Sequence, residues 1–196
     1  MGTMSPIKDR KKLDAMKKYF LERNEIRNYA LFCVGINTAL RISDILNLKW
    51  KDVYDFNGRR FKKHLEIKER KTHKGNEIFL NKEAVCALEQ LMKYYRDENV
   101  LIDGECYIFL GRKGINKPLS RSQAYRIIKG ASIVLKIDGN IGCHSLRKTF
   151  GYFAARGGVS QVLITNIFNH SSFAITKRYL GIEQDERDRV FMKLAL

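Results

Sequence analysis

Residues 143–149 read CHSLRKT and residues 169–179 read NHSSFAITKRY, and these two stretches decide how the rest of the chain is interpreted. Their polar groups include two histidines, an arginine and a tyrosine: His144, Arg147, His170 and Tyr179. Arginine offers phosphate oxygens a permanent, forked cation. Histidine holds or moves a proton near neutral pH, and an activated tyrosine becomes a covalent nucleophile. This set suits a site that grips a phosphodiester and attacks it with a phenolic oxygen.

The spacing within the first stretch predicts a helix with one polar edge. His144 and Arg147 are three residues apart, so they project from neighbouring points of one helical face. An apolar stripe follows the same period and predicts the buried side: Leu146, Phe150, Phe153 and Ala154. We expect the polar pair to lie on the rim of that stripe, open to a ligand. The glycines at 157–158 end the helix.

The second stretch, together with the residues just before it, predicts two short helices joined by a tight turn. Apolar residues at positions 162–168 favour one helix, and Asn169 can adopt the left-handed cap that follows it. Ser171 or Ser172 is then a suitable cap for a last short helix that carries Tyr179.

Length and charge restrict the class of protein. With 196 residues, 44% of them hydrophobic, the chain suits one domain with one core. Lysine and arginine total 37 against 21 acidic residues, a formal charge of +16. Such an excess favours nucleic acid as the partner, with a merely soluble basic protein as the alternative. No apolar run has the length of a membrane span, and no signal peptide is evident.

The four cysteines are scattered: Cys33, Cys86, Cys106 and Cys143. Without a C-x-x-C pair they indicate neither a zinc cage nor a disulfide framework. We therefore expect reduced thiols and a cytoplasmic location.

Hydrophobic periodicity divides the remaining chain into helices and strands. It predicts helices over 8–23, 25–39, 82–97 and 120–135, and strands over 50–56, 61–67 and 77–80. A turn at 58–60 separates the first two strands. Ser43 is a suitable cap for a further helix around residues 42–48.

Arg41 stands between two apolar stretches, where an unpaired cation would be unfavourable. Asp44, three residues later, is one partner within reach. A structural ion pair and a phosphate clamp are both consistent with this segment.

Residues 70–76 read RKTHKGN and predict a basic hairpin tip. Such a loop lays lysines along a DNA backbone or holds one as a proton donor, with solvent-exposed turn lysines as the alternative. The further candidates for DNA contact are Lys74, Lys117, Arg121 and Arg126, which ordinary surface charge would also explain.

Taken together, five motifs in order resemble the catalytic domain of the tyrosine recombinase (phage integrase) family. Residues 39–45, ALRISDI, followed by LKWKDV at 48–53, resemble its first arginine box. RKT at 70–72 resembles the hairpin with the family's lysine, and HSLRKT at 144–149 resembles H-x-L-R-H-T with Lys148 in place of the second histidine. NHSS at 169–172 resembles Gly-His-Ser-Ser, and the tyrosine follows nine residues after His170. Each motif alone is weak, but the ordered set is specific.

The resemblance implies an α+β fold, mainly helical, built as a helical bundle with a small antiparallel sheet or hairpin in the first third. It also implies roles for seven residues. Tyr179 attacks the phosphorus and forms a 3′-phosphotyrosyl link, Arg41 and Arg147 hold the non-bridging oxygens, and Lys71 protonates the leaving 5′ oxygen. His144 assists proton handling and His170 hydrogen-bonds the phosphate. Asp44 orients the site.

The same resemblance implies no cofactor and no metal, because arginines and lysine supply the positive charge. Lys74 is the rival to Lys71 as general acid. The expected partner is double-stranded DNA at a recombination site, with four protomers assembling on it and a monomer as the alternative without DNA. Residues 5–196 would form the catalytic domain, and no N-terminal core-binding domain is seen in this chain.

Three other functions are consistent with parts of the sequence. A DNA-binding relic of an integrase would occupy a site without cutting it. A type IB topoisomerase would use similar chemistry on one strand. A zinc hydrolase would use Cys143, His144 and His170, although their spacing matches no recognised zinc motif.

Overall fold

A computed structural model describes residues 3–69, 74–112 and 115–170, together with 174, 176, 191, 192 and 194. The helices in this part of the chain are α1 (Arg10–Glu22), α2 (Ile26–Asn37), α3 (Ile42–Ile45), α4 (Trp50–Val53), α5 (Lys82–Asp97), α6 (Arg121–Val134), α7 (Cys143–Arg156) and α8 (Gln161–Ile167). The strands are β1 (Tyr54–Asp55), β2 (Arg60–Phe61), β3 (His64–Lys68) and β4 (Gly75–Phe79). The expected mixture of many helices and little antiparallel sheet is confirmed.

Helix α2 forms the centre of the bundle. Every residue from position 28 to position 35 is buried, which removes the polar face that a surface helix needs. Helices α1, α5 and α7 pack around it. The amphipathic pattern of α1 places Met16 and Phe20 in this core, as its periodicity predicts.

Helix α7 approaches α2 closely because α2 carries a glycine at the crossing point. A Cβ atom at Gly35 would lie 2.5 Å from Cδ1 of Leu146, a buried leucine on α7. At the start of α7, Ser145 accepts a hydrogen bond from the backbone N–H of Gly142 at 3.1 Å. These contacts fix both the position and the first turn of the helix that carries His144 and Arg147.

The N-terminal segment is fastened to the same helix. The backbone N–H of Ile7 donates to the hydroxyl of Thr149 on α7 at 2.9 Å, across 142 residues of sequence. The N–H of Ser5 donates to the carbonyl of Asn140 at 2.9 Å. These two bonds hold the N-terminal segment against α7 and the residues just before it.

Strands β3 and β4 form an antiparallel hairpin in which Leu65 pairs with Ile78 and Lys68 pairs with Gly75. Side chains alternate between the two faces of a strand, and Leu65 faces the core. The N–H of Glu69 donates to the carbonyl of Lys74 at 2.9 Å and extends the ladder by one bond. Residues 70–73, including Lys71, lie outside the described residues.

Two of the expectations for the first third are wrong. Residues 50–56 do not form a strand, because Trp50–Val53 is helical and only Tyr54–Asp55 is extended. The carboxylate of Asp52 accepts the N–H of Lys49 at 2.8 Å and caps this turn. Ser43 is not the cap of α3. The carbonyl of Arg41 accepts the first helical hydrogen bonds, so the helix has already begun when the chain reaches the serine.

The other elements follow their patterns with small differences. The strand expected over 61–67 divides into β2 and β3, and helix α8 forms as expected. Val162 and Leu163 on α8 are 70% and 51% exposed, so the buried side of that helix is Ile164, followed by Phe168. All four cysteines are free thiols. Within the described residues, no helix is long and apolar enough to cross a membrane.

Candidate active site

Arg41 enters the site from the start of helix α3. It is the N-cap residue, with an extended backbone that directs the chain from α2 into the next turn. Its side chain is 15% exposed, so the guanidinium still meets solvent. Its Nη1 donates to the carboxylate of Glu69. Asp44, the partner considered from the sequence, lies one turn further along α3 and is buried.

Glu69 lies at the end of strand β3 and is completely buried. One carboxylate oxygen, Oε2, accepts from Arg41. The other, Oε1, lies 4.0 Å from Nη1 of Arg147 and accepts from the side-chain amide of Asn76 at 3.3 Å. One carboxylate therefore contacts two arginines that are more than 100 positions apart in the sequence.

Arg147 projects from the second turn of helix α7 and is 2% exposed. Its Nη2 donates to the carbonyl of Phe168 at 2.7 Å, and its guanidinium carbon lies 4.7 Å from the centroid of the Phe168 ring. A carbonyl and an aromatic face both stabilise a cation. The expectation that this arginine lies on an open rim is wrong, because α8 and its C-terminal cap cover it.

His170 follows directly from that cap. Asn169 has a φ of +49°, the left-handed conformation that asparagine tolerates, and so turns the chain at the end of α8 as expected. The His170 ring lies 5.4 Å from the Phe168 ring, and its Nδ1 is 3.0 Å from the hydroxyl of Thr176. The buried threonine fixes the orientation of the imidazole.

His144 and Lys148 flank Arg147 on α7. His144 is half-buried and lies one turn before the arginine. Lys148 is 4% exposed, and burial lowers the pKa of its ammonium group from the ordinary value. The lysine that replaces a histidine in the resemblance is thus part of the interior and not of the outer surface.

The structure brings Arg41, Arg147 and His170 into one site through Glu69 and Phe168. His144 shares the helix of Arg147, and Asp44 shares the helix that Arg41 caps. Tyr179, Lys71 and the serines at 171–172 lie outside the described residues, and so does most of the tail after residue 176.

Four cationic candidates for DNA contact are exposed: Lys74, Lys117, Arg121 and Arg126. The two on helix α6 have different surroundings. The charge of Arg121 acts on Cys143 at the start of α7, whereas Arg126 lines a separate cavity of about 340 Å³ with Arg27 and Arg112. Of the two helix α6 arginines, Arg121 is therefore the one beside the catalytic candidates.

Sequence reasoning missed Glu69, Phe168 and Thr176. A signal for Glu69 was present, because residues 65, 67 and 69 share one face of an extended strand and the first is fully buried. A carboxylate at the next inward position needs a cation. No comparable local signal marks Phe168 or Thr176, since each acts through a residue that the chain brings close only on folding.

The zinc hydrolase alternative gains no support from the site. Among the described residues, no three histidine, cysteine or acidic side chains lie close enough together to hold a metal ion. Burial also raises the pKa of Cys143 to about 11, which keeps its sulfur protonated near neutral pH.

Comparison with known proteins gives the family. Residues 9–186 match the phage integrase family. The probable integrase/recombinase YoeC of Bacillus subtilis (strain 168) is 39% identical over 185 residues, which are 94% of this chain and 93% of that protein. A tyrosine recombinase of Agathobacter rectalis is 29% identical over 172 residues, which are 88% of this chain but 53% of that protein.

Solved structures share the fold. The crystal structure of XerA recombinase superposes with a TM-score of 0.74 at 21% identity, covering 99% of this chain and 67% of that one. The post-cleavage complex of XerH recombinase gives a TM-score of 0.71 at 19% identity, covering 91% of this chain and 50% of that one. The chain belongs to the phage integrase family and has the fold of a tyrosine recombinase catalytic domain.

Proposed function

We propose that residues 5–196 form the catalytic domain of a site-specific DNA recombinase that cuts and rejoins double-stranded DNA through a 3′-phosphotyrosyl intermediate. The observation that supports this function most is the convergence of Arg41 and Arg147 on a single carboxylate. Two guanidinium groups that meet at one anion are placed to hold the two non-bridging oxygens of a phosphodiester.

In the proposed reaction, the phenolic oxygen of Tyr179 forms a bond to phosphorus while the bond from phosphorus to the 5′ oxygen breaks. The tyrosine proton leaves toward His144, and Lys71 protonates the departing 5′ oxygen. Attack by a 5′ hydroxyl on the phosphotyrosine reverses these steps and restores both the DNA and the tyrosine. The charge of the pentavalent transition state is held by Arg41 and Arg147.

The neighbouring residues would orient this reaction. With Nδ1 of His170 directed at Thr176, the opposite ring nitrogen is the one that meets a phosphate oxygen. Asp44 would orient the site, and the Phe168 carbonyl would hold Arg147 in place. Recombination would require four protomers on DNA, each supplying one tyrosine.

A nicked duplex tests the nucleophile. Duplexes from the junctions flanking the gene, nicked just downstream of each candidate phosphate, are incubated with protein, and covalent adducts are separated on a denaturing gel. We expect an adduct from the unaltered chain and from Tyr125→Phe, which removes an exposed phenol near the start of α7. Tyr179→Phe should give none. An adduct from Tyr179→Phe would refute the assignment, and duplex binding without any adduct would favour the DNA-binding relic.

A sulfur leaving group tests the general acid. A thiolate departs without being protonated, so a bridging 5′-phosphorothiolate should restore cleavage to a variant that lacks the acid. We expect this substrate to rescue Lys71→Ala, while Lys74→Ala keeps normal cleavage of the ordinary phosphodiester. Rescue of Lys74→Ala instead would transfer the role to Lys74.

A further inference from the structure

The carboxylate of Glu69 lies where the proposed function places the phosphate of DNA. It is fully buried, it accepts from Arg41, and its other oxygen lies 4.0 Å from Arg147. We infer that Glu69 is an internal anion that holds the two arginines together without DNA and is displaced when a phosphate binds. This inference rests on the proposed role of the two arginines as the phosphate grip.

The negative charges of Glu69 and of a phosphate prevent both anions from binding the two arginines at once. A phosphodiester and a carboxylate at the same pair of guanidinium groups would place like charges within a few ångströms in a site shielded from water. Neither anion gains the full attraction of the arginines while the other stays. Phosphate binding therefore requires the Glu69 side chain to move away from the arginines. The free energy needed to break its ion pairs reduces the net free energy of DNA binding.

The location of Glu69 gives it a way to leave. It follows the last residue of β3, where its N–H donates to the carbonyl of Lys74. The amide of Asn76 on the opposite strand supplies a weak 3.3 Å hydrogen bond to the carboxylate. Arg41 remains 15% exposed, so a phosphate can reach its guanidinium from solvent before the carboxylate of Glu69 is released. The carboxylate would act as a positioning residue in the free protein and as a competitor during phosphate binding.

Inorganic phosphate tests the inference without any catalysis. Thermal unfolding at rising phosphate concentration and constant ionic strength gives an apparent dissociation constant. Glu69→Gln keeps the shape and removes the charge, and we expect it to lower this constant about tenfold. The matched control is Glu66→Gln, which removes a carboxylate from the exposed face of the same strand and should leave the constant unchanged.

If Glu69→Gln does not fold, a second variant, Asn76→Ala, tests the same inference. Asn76→Ala removes one neutral hydrogen bond to the carboxylate, and we expect it to lower the phosphate constant about threefold. An unchanged constant in the folded variants would overturn the inference. A weaker phosphate affinity in Glu69→Gln would also overturn it, because the carboxylate would then support the phosphate site instead of competing for it.

Adduct formation separates this inference from the proposed function. With Glu69→Gln, we expect half-maximal adduct rate at about tenfold lower DNA concentration. An unchanged DNA dependence would contradict displacement. If the unaltered chain forms no adduct on any duplex, the proposed function fails, and the phosphate titration still decides the role of Glu69.

Discussion

Replacing Gly35 by alanine tests how closely helix α7 must sit on the central helix α2. The added Cβ would lie 2.5 Å from Cδ1 and 3.1 Å from Cβ of Leu146. Carbon atoms in contact prefer separations of about 3.5–4.0 Å. Leu146 is buried in the core, so its side chain cannot simply turn into solvent. The methyl group should push α7 away from α2 and carry Arg147 with it.

The size of the expected destabilisation is estimated by comparison with a second glycine inside a helix. Gly130 lies inside helix α6, as Gly35 lies inside α2, and a Cβ there meets nothing within 4 Å. Alanine gains about 1 kcal/mol of helix propensity at either position. Overpacking at Gly35 costs about 1–3 kcal/mol. The propensity gain cancels between the variants, so Gly35→Ala should be less stable than Gly130→Ala by about 1–3 kcal/mol.

Urea unfolding followed by circular dichroism measures both variants, and the adduct assay measures the effect on the site. We expect Gly35→Ala to lower the free energy of unfolding relative to Gly130→Ala and to slow adduct formation, while Gly130→Ala leaves the rate unchanged. Equal unfolding free energies for the two variants would refute the reasoning, since the close contact with Leu146 would then carry no energetic consequence.

Three further predictions concern other parts of the molecule. Tyr95→Phe should lower the free energy of unfolding by about 1–2 kcal/mol in urea, because it leaves the carbonyl of Ile108 without the 3.0 Å hydrogen bond from the buried hydroxyl. Raising the pH from about 9 to about 11 should lower stability, because the unfolded chain ionises Cys143 first while burial holds its folded pKa at about 11; Cys143→Ala should reduce this slope in unfolding experiments. Arg121→Ala should weaken duplex binding and reduce the salt slope by about 1, whereas Arg126→Ala should leave the slope unchanged in the same fluorescence titration.

Sequence patterns correctly predicted the elements that depend on interactions between residues close in the sequence. The helix expected over 82–97 has those same bounds, because its apolar period is regular and the side chain of Asn81 accepts the N–H of Ala84 at its start. The left-handed turn at Asn169 was predicted from the residue type alone. Both features depend on side chains within a few positions of the backbone that they shape.

Elements that depend on distant partners were not predicted. The N–H groups of Trp50 and Lys51 donate to the carbonyls of Cys106 and Gly104, so this short segment is held by a loop some 50 positions away. The apolar and aromatic residues around it suggested a strand, but no local pattern reveals those two carbonyls.

The residues of the candidate site also divide into those that sequence motifs predicted and those that depend on distant partners. Ordered motifs identified Arg41, Arg147 and His170, and the structure places all three within one set of contacts. The sequence suggested Asp44, three residues away, as the carboxylate partner of Arg41, whereas the guanidinium donates to Glu69, 28 positions away. Sequence proximity favours the nearer acid, but the hairpin carries the distant one into the core.

The bond between Ile7 and Thr149 has a consequence for how the chain folds during synthesis. Ile7 finds its partner Thr149 only after 142 more residues have been synthesised. The face of helix α2 that packs on α7 stays without that cover until the same point. The nascent chain therefore exposes this apolar face until α7 is made, and loop closure over such a distance slows folding. Variants that weaken α7 should accordingly reduce the yield of intact protein in cells before they reduce the stability of the protein that does fold.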